Sequence, residues 1–296
     1  MARRAAAERG VDVSKLEGSG PHQRVVRSDV EAAVSPTAAA SEVPAALSSR
    51  REVPLGAAQY SLRPGDELIP LSPLRRLVAE HMVLSKRTSP HVGTVAEIDM
   101  SGVERVRENQ KRTFRATHGF ALSYLPFILH ASVRALREHP RLNASMLEDA
   151  IVEKKALNVG VAVETEKGLV VPVVRDADRL SLAGLATTVE DLAPRARTKK
   201  LSPDELQGGT FTISNPGRHG NLYGFAIINQ PQVAILRMGE IVKRPVVREL
   251  AGEDAIVVRP IMHLALSYDH RVVDGAPANA FLYRIRELLE EAEFDL

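Results

Sequence analysis

The sequence predicts an α/β fold with some antiparallel strand pairing, preceded by a small helical unit. Three observations lead there. From Glu67 to the C-terminus, apolar residues at helical spacing alternate irregularly with strand-like runs. One run, ALNVGVAVETEKGLVVPVV, is two apolar stretches around a polar, glycine-containing turn, which is the pattern of a hairpin. Ahead of this region lies SPTAAASEVPAALSSRREVPLGAAQYSLRPGDE, rich in Ala, Pro and Ser and without a sustained apolar period, which reads as a semi-rigid linker. The expected division is a small domain at residues 1–34, a linker at 35–67 and a principal domain at 68–296. With 296 residues and 44% hydrophobic content, the chain is long enough to bury a core.

In the small unit, RRAAAERG is a good helix former that ends at Gly10, GSGP is a loop, and Ser28 is placed to cap DVEAAV. A unit of this size has a marginal core. In the larger part, Ser72 caps and Pro73 opens a helix with Leu74, Leu77, Val78 and Met82 on one face. SLAGLATTVEDLAPRA reads as another helix, and GGTFTIS, QVAILRMG and AIVVRPIMHLALSY as strands. PANAFLYRIRELLEE closes the chain as a helix with Ala278, Phe281, Leu282, Ile285, Leu288 and Leu289 on one stripe. No internal repeat is visible.

Composition narrows the function classes. The longest apolar candidate, ALSYLPFILHASV, is interrupted by Pro126 and His130, so no membrane span is expected. The start MARRAAAERG has the Arg and Ala of an organelle presequence, but Glu8, Asp12 and Glu17 supply acid that such peptides avoid, so it reads as mature sequence. Cysteine is absent, which excludes a thiol nucleophile or thiolate ligand from this chain and suits a reducing, cytoplasmic location. A net charge of +2 with interleaved signs and 4% aromatic residues gives neither a phosphate-tracking stripe nor a stacking platform; nucleic acid is not an expected partner.

The chemical candidates are few. P-loop, dinucleotide-binding and nucleophile-elbow patterns are missing, and none of the nine histidines forms H-x-x-x-H or H-E-x-x-H. In SYDHRVVDG, His270 precedes Asp274 by four residues, but both lie on the loop feeding the last helix rather than on one helical face, so no metal site is expected. Taken alone, His270 reads first as a packing or capping residue at a strand-to-helix turn and only second as a catalyst. Asp274 reads equally as a helix cap, and Gly275 as a residue in an unusual backbone angle. In GGTFTISNPG, period two puts Phe211 and Ile213 on one face and Thr210, Thr212 and Ser214 on the other, before Asn215, Pro216 and Gly217 force a turn. A hydroxyl there either caps its own turn or donates to developing negative charge.

SYDHRVVDGAPANAFLYRIRELLE closely resembles the C-terminal motif, with signature H-x-x-x-D-G, of the dihydrolipoyl acyltransferase components of 2-oxo acid dehydrogenase complexes. GGTFTISNPGRHGNLYGFAIINQPQVAIL looks like the second signature of that family, and PLSPLRRLVAEHMVLSKRTSPH like the start of its catalytic domain, so the likeness covers residues 68 to 296. GVDVSKLEGSGPHQRVVRSDVEAA is similar to the peripheral subunit-binding domain that precedes it. Departures are His22 and Gln23 ahead of Arg24, Arg237 where many relatives have Gly, and no lysine at the tip of an Asp-Lys-Ala hairpin, as a lipoyl domain would carry.

The resemblance implies a two-layer mixed-sheet acyltransferase domain of the chloramphenicol acetyltransferase type behind a small helical subunit-binding domain. It implies acyl transfer between dihydrolipoamide and coenzyme A, with the lipoyl group supplied by a domain outside this chain. His270 would act as general base on a thiol and Ser214 as donor to the tetrahedral oxyanion. Asp274 would hold the catalytic loop, through a salt bridge to Arg75 or Arg76, with Gly275, Asn215 and Arg75 as loop support. The site would lie between subunits of a homotrimer that assembles into a cubic 24-mer or dodecahedral 60-mer core. Arg4 and Arg24 would help bind the dehydrogenase and lipoamide dehydrogenase components. The rival readings are a non-catalytic scaffold subunit of the same complex and a stand-alone chloramphenicol-type acetyltransferase. The acyl group, whether acetyl, succinyl or branched-chain, is left open.

Overall fold

A computed structural model of the chain describes residues 2, 6, 12, 16, 18–21, 24–26, 29–30, 64–166, 168–216 and 221–295. It divides into two units, 1–68 and 69–296. In the first, the described residues 2, 6, 29 and 30 are helical, and Ala6 and Val30 are buried. Asp29 accepts from the Ser19 hydroxyl (2.5 Å), the Val26 N–H (2.8 Å) and the Ser19 N–H (3.1 Å). The Ser19 hydroxyl foremost, then the two backbone donors, hold its carboxyl below the ordinary range. Arg24 is exposed and its carbonyl accepts from the Gly20 N–H at 3.0 Å. Arg4, Ser28 and most of the expected linker lie outside the described residues.

The second unit begins with α1 (Pro73–Thr88), then β1 (His91–Asp99), α2 (Ser101–His118) and α3 (Leu125–Glu138). Short strands follow: β2 (Ala144–Met146), β3 (Ile151–Glu153), β4 (Val159–Thr165), β5 (Gly168–Val170) and β6 (Val173–Val174). Then come α4 (Leu182–Arg197), β7 (Phe211–Ser214), β8 (Ala234–Leu250), β9 (Glu253–Asp269) and α5 (Gly275–Glu291). Seven strands form one sheet in the order β1-β9-β8-β7-β4-β5, with β6 also on β4; β2 and β3 pair separately. β7 runs parallel to both β4 and β8, and the other pairs are antiparallel. The expected mixed sheet and the expected hairpin, formed by β4 and β5, are therefore present.

Helices cover one face of this sheet, because each strand alternates and each helix is apolar on one side. Phe211 and Ile213, Leu236 and Met238, and Leu264 and Leu266 face the same core as the α5 stripe of Phe281, Leu282, Ile285 and Leu289. Phe211 and Phe281 meet edge to face at 5.9 Å. Each fully buried Phe or Leu side chain contributes about 1.5–3 kcal/mol. Within ALSYLPFILHASV the helix starts at Leu125 and runs unbroken through His130: Pro126 sits in the first turn of α3, where its missing N–H has no partner to lose, and ten residues of α3 are buried.

Ser72 caps α1 by accepting from the Arg75 N–H at 3.2 Å. The apolar side of α1 is uncovered, however: Leu74, Leu77, Val83 and Leu84 are exposed. So are Val247, Leu250, Ile256 and Val258 on the long ribbon that β8 and β9 form beyond a bulge at Met238/Ile241. At its tip, Ala251 and Gly252 both take positive φ (54° and 88°), as a tight primed turn demands.

On the other face, residues 221–232 cross the sheet. Backbones approach so closely at Gly239 that a Cβ there would meet the Leu222 carbonyl and, at 2.8 Å, the His263 carbonyl. Gly93 likewise leaves room for the Phe225 ring. The crossing is tied to the end of α1: Ser85 Oγ donates to the Ile228 carbonyl (2.6 Å) and Gln230 Nε2 to Ser89 Oγ (2.8 Å). His91 Nε2 accepts the Ile228 N–H at 3.0 Å, so Nδ1 carries the proton donated to the Ser89 carbonyl at 2.7 Å.

Candidate active site

His270 follows the last residue of β9, and Asp274 is the N-cap of α5. The turn between them closes on Asp269. Its carbonyl accepts the N–H groups of Val272 and Val273 (both 3.0 Å), and its own N–H donates to the Val233 carbonyl at 2.8 Å. The His270 N–H donates to the Pro90 carbonyl at 3.1 Å. The Asp269 side chain, 1% exposed, accepts the Arg271 backbone N–H (3.0 Å) and both arms of its guanidinium (3.0 and 2.6 Å). Burial works to raise this carboxyl's pKa, but hydrogen bonds from Arg271 and the Ser89 hydroxyl outweigh it and hold the value below the ordinary range. Asp269 and Arg271 flank His270 inside the quoted motif, yet sequence reasoning passed over both. Their partners Ser89 and Pro90 lie far away in the chain and leave no local signal.

The imidazole is 45% exposed, with Nδ1 3.8 Å from Asp274 Oδ1, too long for a hydrogen bond. Nε2 has no partner among the described residues. Tyr268 lies beneath, its ring 5.9 Å from the imidazole. Burial first, and then the negative charge of Asp274, push the Tyr268 phenol up from its ordinary value, so it stays a protonated wall of the turn.

Three expectations for this turn change. Asp274 occupies the cap position, but its side chain makes no capping hydrogen bond; it is 83% exposed. Gly275 does not take a positive φ: it is the first residue of α5, and the nearest atom to an added Cβ is the Tyr268 hydroxyl at 3.9 Å. Asp274 does not pair with Arg75 or Arg76 within the chain. The Arg75 guanidinium lies instead beside Gly168 on the β4–β5 hairpin, while Asp274 turns toward His270.

Ser214 ends β7. Phe211 and Ile213 are fully buried in the core, which sends Ser214 to the face opposite the helices, as period two predicts. On that face Thr212 Oγ1 donates to Gln232 Oε1 (2.7 Å), and Thr210 Oγ1 accepts from the Asn158 N–H (3.0 Å). The Ser214 hydroxyl has no partner among the described residues. It is a free donor at a strand end.

The register separates the two groups. Ser214 aligns with Arg237, Arg237 with Ala265, and His270 lies five residues beyond Ala265. Strand rise and spacing put Ser214 and His270 roughly 20 Å apart within one chain. They sit at opposite ends of the sheet. Among the described residues no group of three or more His, Asp or Glu gathers to hold a metal ion.

The family model described as "2-oxoacid dehydrogenases acyltransferase (catalytic domain)" matches residues 63–295. The chain belongs to this acyltransferase family. A second model, "e3 binding domain", matches residues 1–31. Among curated relatives, the lipoamide acyltransferase component of a branched-chain alpha-keto acid dehydrogenase complex from Bacillus subtilis is 36% identical over 98% of this chain and 70% of its own length. The dihydrolipoyllysine-residue succinyltransferase component of the 2-oxoglutarate dehydrogenase complex from the same organism is 40% identical (99% and 68%). The acetyltransferase component of the pyruvate dehydrogenase complex from Staphylococcus aureus is also 40% identical (98% and 68%).

Solved acyltransferase structures share the fold. A probable dihydrolipoamide acetyltransferase from Listeria monocytogenes superposes with TM-score 0.74 at 38% identity, covering 78% of this chain and 97% of that one. The Azotobacter vinelandii dihydrolipoamide acetyltransferase, in which the catalytic roles of a serine, a histidine and an asparagine were investigated, gives TM-score 0.72 at 37% identity, with 76% and 92% covered.

Proposed function

We propose that this acyltransferase moves an acyl group between dihydrolipoamide and coenzyme A as part of the core of a 2-oxo acid dehydrogenase complex. Exchange between two thioesters is nearly balanced in energy, so the protein has to activate a thiol, position two substrates and exclude water. The thiolate is the nucleophile, and a thiol with pKa about 8.5 is mostly protonated at neutral pH. In this reading, His270 Nε2 takes the thiol proton and the resulting thiolate attacks the thioester carbonyl. The Ser214 hydroxyl donates to the oxyanion that forms. Collapse expels the second sulfur, which recovers the proton from the imidazolium. Asp274 faces Nδ1 and biases the ring toward presenting Nε2. No covalent acyl-enzyme is needed.

The observation that carries this reading is the register of the sheet. A base and a donor roughly 20 Å apart in one chain serve one thioester only if they come from two copies. The uncovered apolar faces of α1 and of the β8–β9 ribbon are the kind of surface that a homotrimer buries. A related structure with the same coverage and TM-score 0.72 is the cubic core of a pyruvate dehydrogenase multienzyme complex. The lipoyl arm arrives from a carrier outside these 296 residues, coenzyme A from solvent, and the N-terminal segment docks the dehydrogenase and lipoamide dehydrogenase components.

Complementation tests the shared site directly. His270→Ala and Ser214→Ala should each lose all but about a hundredth or less of the activity, but a trimer mixed from equal amounts of both regains about a quarter of its sites, because each site draws one residue from each of two neighbours. Refolded mixtures that stay inactive while forming normal trimers would place both groups in one chain and end the proposal.

A further inference from the structure

We infer that Arg237 reads the acyl group, and that the site takes a short acyl chain ending in a carboxylate. This rests on the acyltransferase reading of Ser214. Ser214 and Arg237 are register partners on parallel strands, so their Cα atoms lie about 4.8 Å apart and their side chains rise from the same face. Leu236 and Met238 on either side of Arg237 are buried against the helices, which fixes its direction away from them. The guanidinium runs beneath the crossing segment: Cζ and Nε each lie 3.5 Å from where a Cβ on Gly224 would sit.

The side chain is half-buried, and its Nε is closed off from solvent without a hydrogen-bond partner. Among the described residues no carboxylate pairs with it. Several arginines of the fold do find one: Arg271 holds Asp269, Arg195 holds Glu205, Arg248 holds Asp99 and Arg284 holds Glu138; Arg244, out on the β8–β9 ribbon, shares the orphaned Nε but has no Ser214 beside it. Glu97, on the same face two strands away, is engaged with His263 at 3.6 Å. A partly desolvated guanidinium beside a site is costly until an anion meets it, and its fork matches a carboxylate with two parallel hydrogen bonds.

Position selects among the anions available. If the Ser214 hydroxyl touches the thioester oxygen, a guanidinium one strand away reaches the far end of a short acyl chain. The coenzyme A phosphates lie a full pantetheine arm from the reacting sulfur and are out of reach. A carboxylate of the succinyl kind, two methylenes beyond the thioester carbonyl, satisfies both groups. Acetyl or branched aliphatic chains leave the arginine unmet.

The test measures kcat/KM of the intact protein with dihydrolipoamide and succinyl-, acetyl- or isobutyryl-coenzyme A, for wild type, Arg237→Gln and Arg237→Lys, with light scattering to record assembly size. Wild type is expected to favour succinyl over acetyl by about 100-fold or more, Arg237→Gln to erase most of that ratio, and Arg237→Lys to keep part of it. The inference is overturned if wild type uses acetyl or isobutyryl at least as well as succinyl, or if Arg237→Gln lowers all three alike. A smaller assembly in Arg237→Gln would also overturn it, by showing that the arginine meets a neighbouring chain. Absence of transfer from all three in wild type would sink the acyltransferase reading itself.

Discussion

At one end of the sheet His270 stands on a turn tied by polar contacts, whereas at the other Ser214 ends a strand gripped by apolar packing. The turn uses every nearby backbone donor: Pro90, Val233 and Asp269 accept from residues 269–273, and Asp269 clamps Arg271. The strand uses Phe211 and Ile213, both fully buried, and parallel neighbours on either side. The difference suits the two tasks. An imidazole that exchanges protons has to be exposed yet aimed, and hydrogen bonds to its flanking backbone aim it without covering the ring. A hydroxyl that only donates needs a fixed origin, and a rigid strand supplies one.

Deleting each group in turn tests that contrast with the largest effects. His270→Ala should lower kcat by about 10² to 10⁴, the usual worth of general-base help, with an unchanged melting temperature because the ring is half-exposed and its nitrogens make no hydrogen bond among the described residues. Steady-state kinetics beside a thermal scan check both halves, and a variant retaining most of its activity would remove the imidazole from the chemistry. Ser214→Ala should lower kcat by about 10² to 10³ and leave KM nearly untouched, since the hydroxyl would act only on the oxyanion. A loss confined to KM would mean that Ser214 binds ground-state substrate instead.

Cutting the polar tie has a middling effect and separates the two ends of the sheet. Asp269→Asn should destabilise the fold by about 1–3 kcal/mol and slow turnover by loosening the turn, while leaving the β7 end intact. Because the folded carboxyl titrates below its ordinary range, its contribution is fully present above the unfolded value of about 3.9 and is lost as pH falls through the lower folded value. The stability gap between wild type and Asp269→Asn is therefore expected to be constant at neutral pH and to close in acid. Urea titrations at several pH values measure it; a gap that widens on acidification would reverse the assignment.

What was legible in the sequence follows the same division. The strand carrying Ser214, the stripe of α5 and the Ser72 cap of α1 are local patterns of period 2, period 3.6 or cap chemistry, and all are present. H-x-x-x-D-G placed His270 and Asp274 together on the loop before the helix. What the sequence did not reveal is long-range: Ser89 and Pro90 meeting the 269–270 turn, and His91 holding Ile228, join segments that only the sheet brings together. The Asp274–Arg75 pair is not made within one chain, for a related reason. Matching charges in sequence says nothing about direction, and Arg75 leans toward Gly168 while Asp274 leans toward the imidazole.

The smallest effect belongs to Asp274, and it sharpens the comparison most. At 83% exposure and 3.8 Å from Nδ1, its carboxylate contributes a screened attraction rather than a hydrogen bond. Asparagine is as good a residue at a helix cap, and here the cap bond is missing anyway. Asp274→Asn should therefore leave the unfolding midpoint in place and cost about threefold in kcat, a deficit that shrinks as salt is raised, because screening weakens the attraction it removes. In the Azotobacter vinelandii relative, the investigated histidine and asparagine are themselves four positions apart, which is the spacing of His270 and Asp274. A loss of thirtyfold or more, unmoved by salt, would show that Asp274 is buried against a neighbouring copy. The His270 turn would then be held from across the subunit boundary as well as from within its own chain.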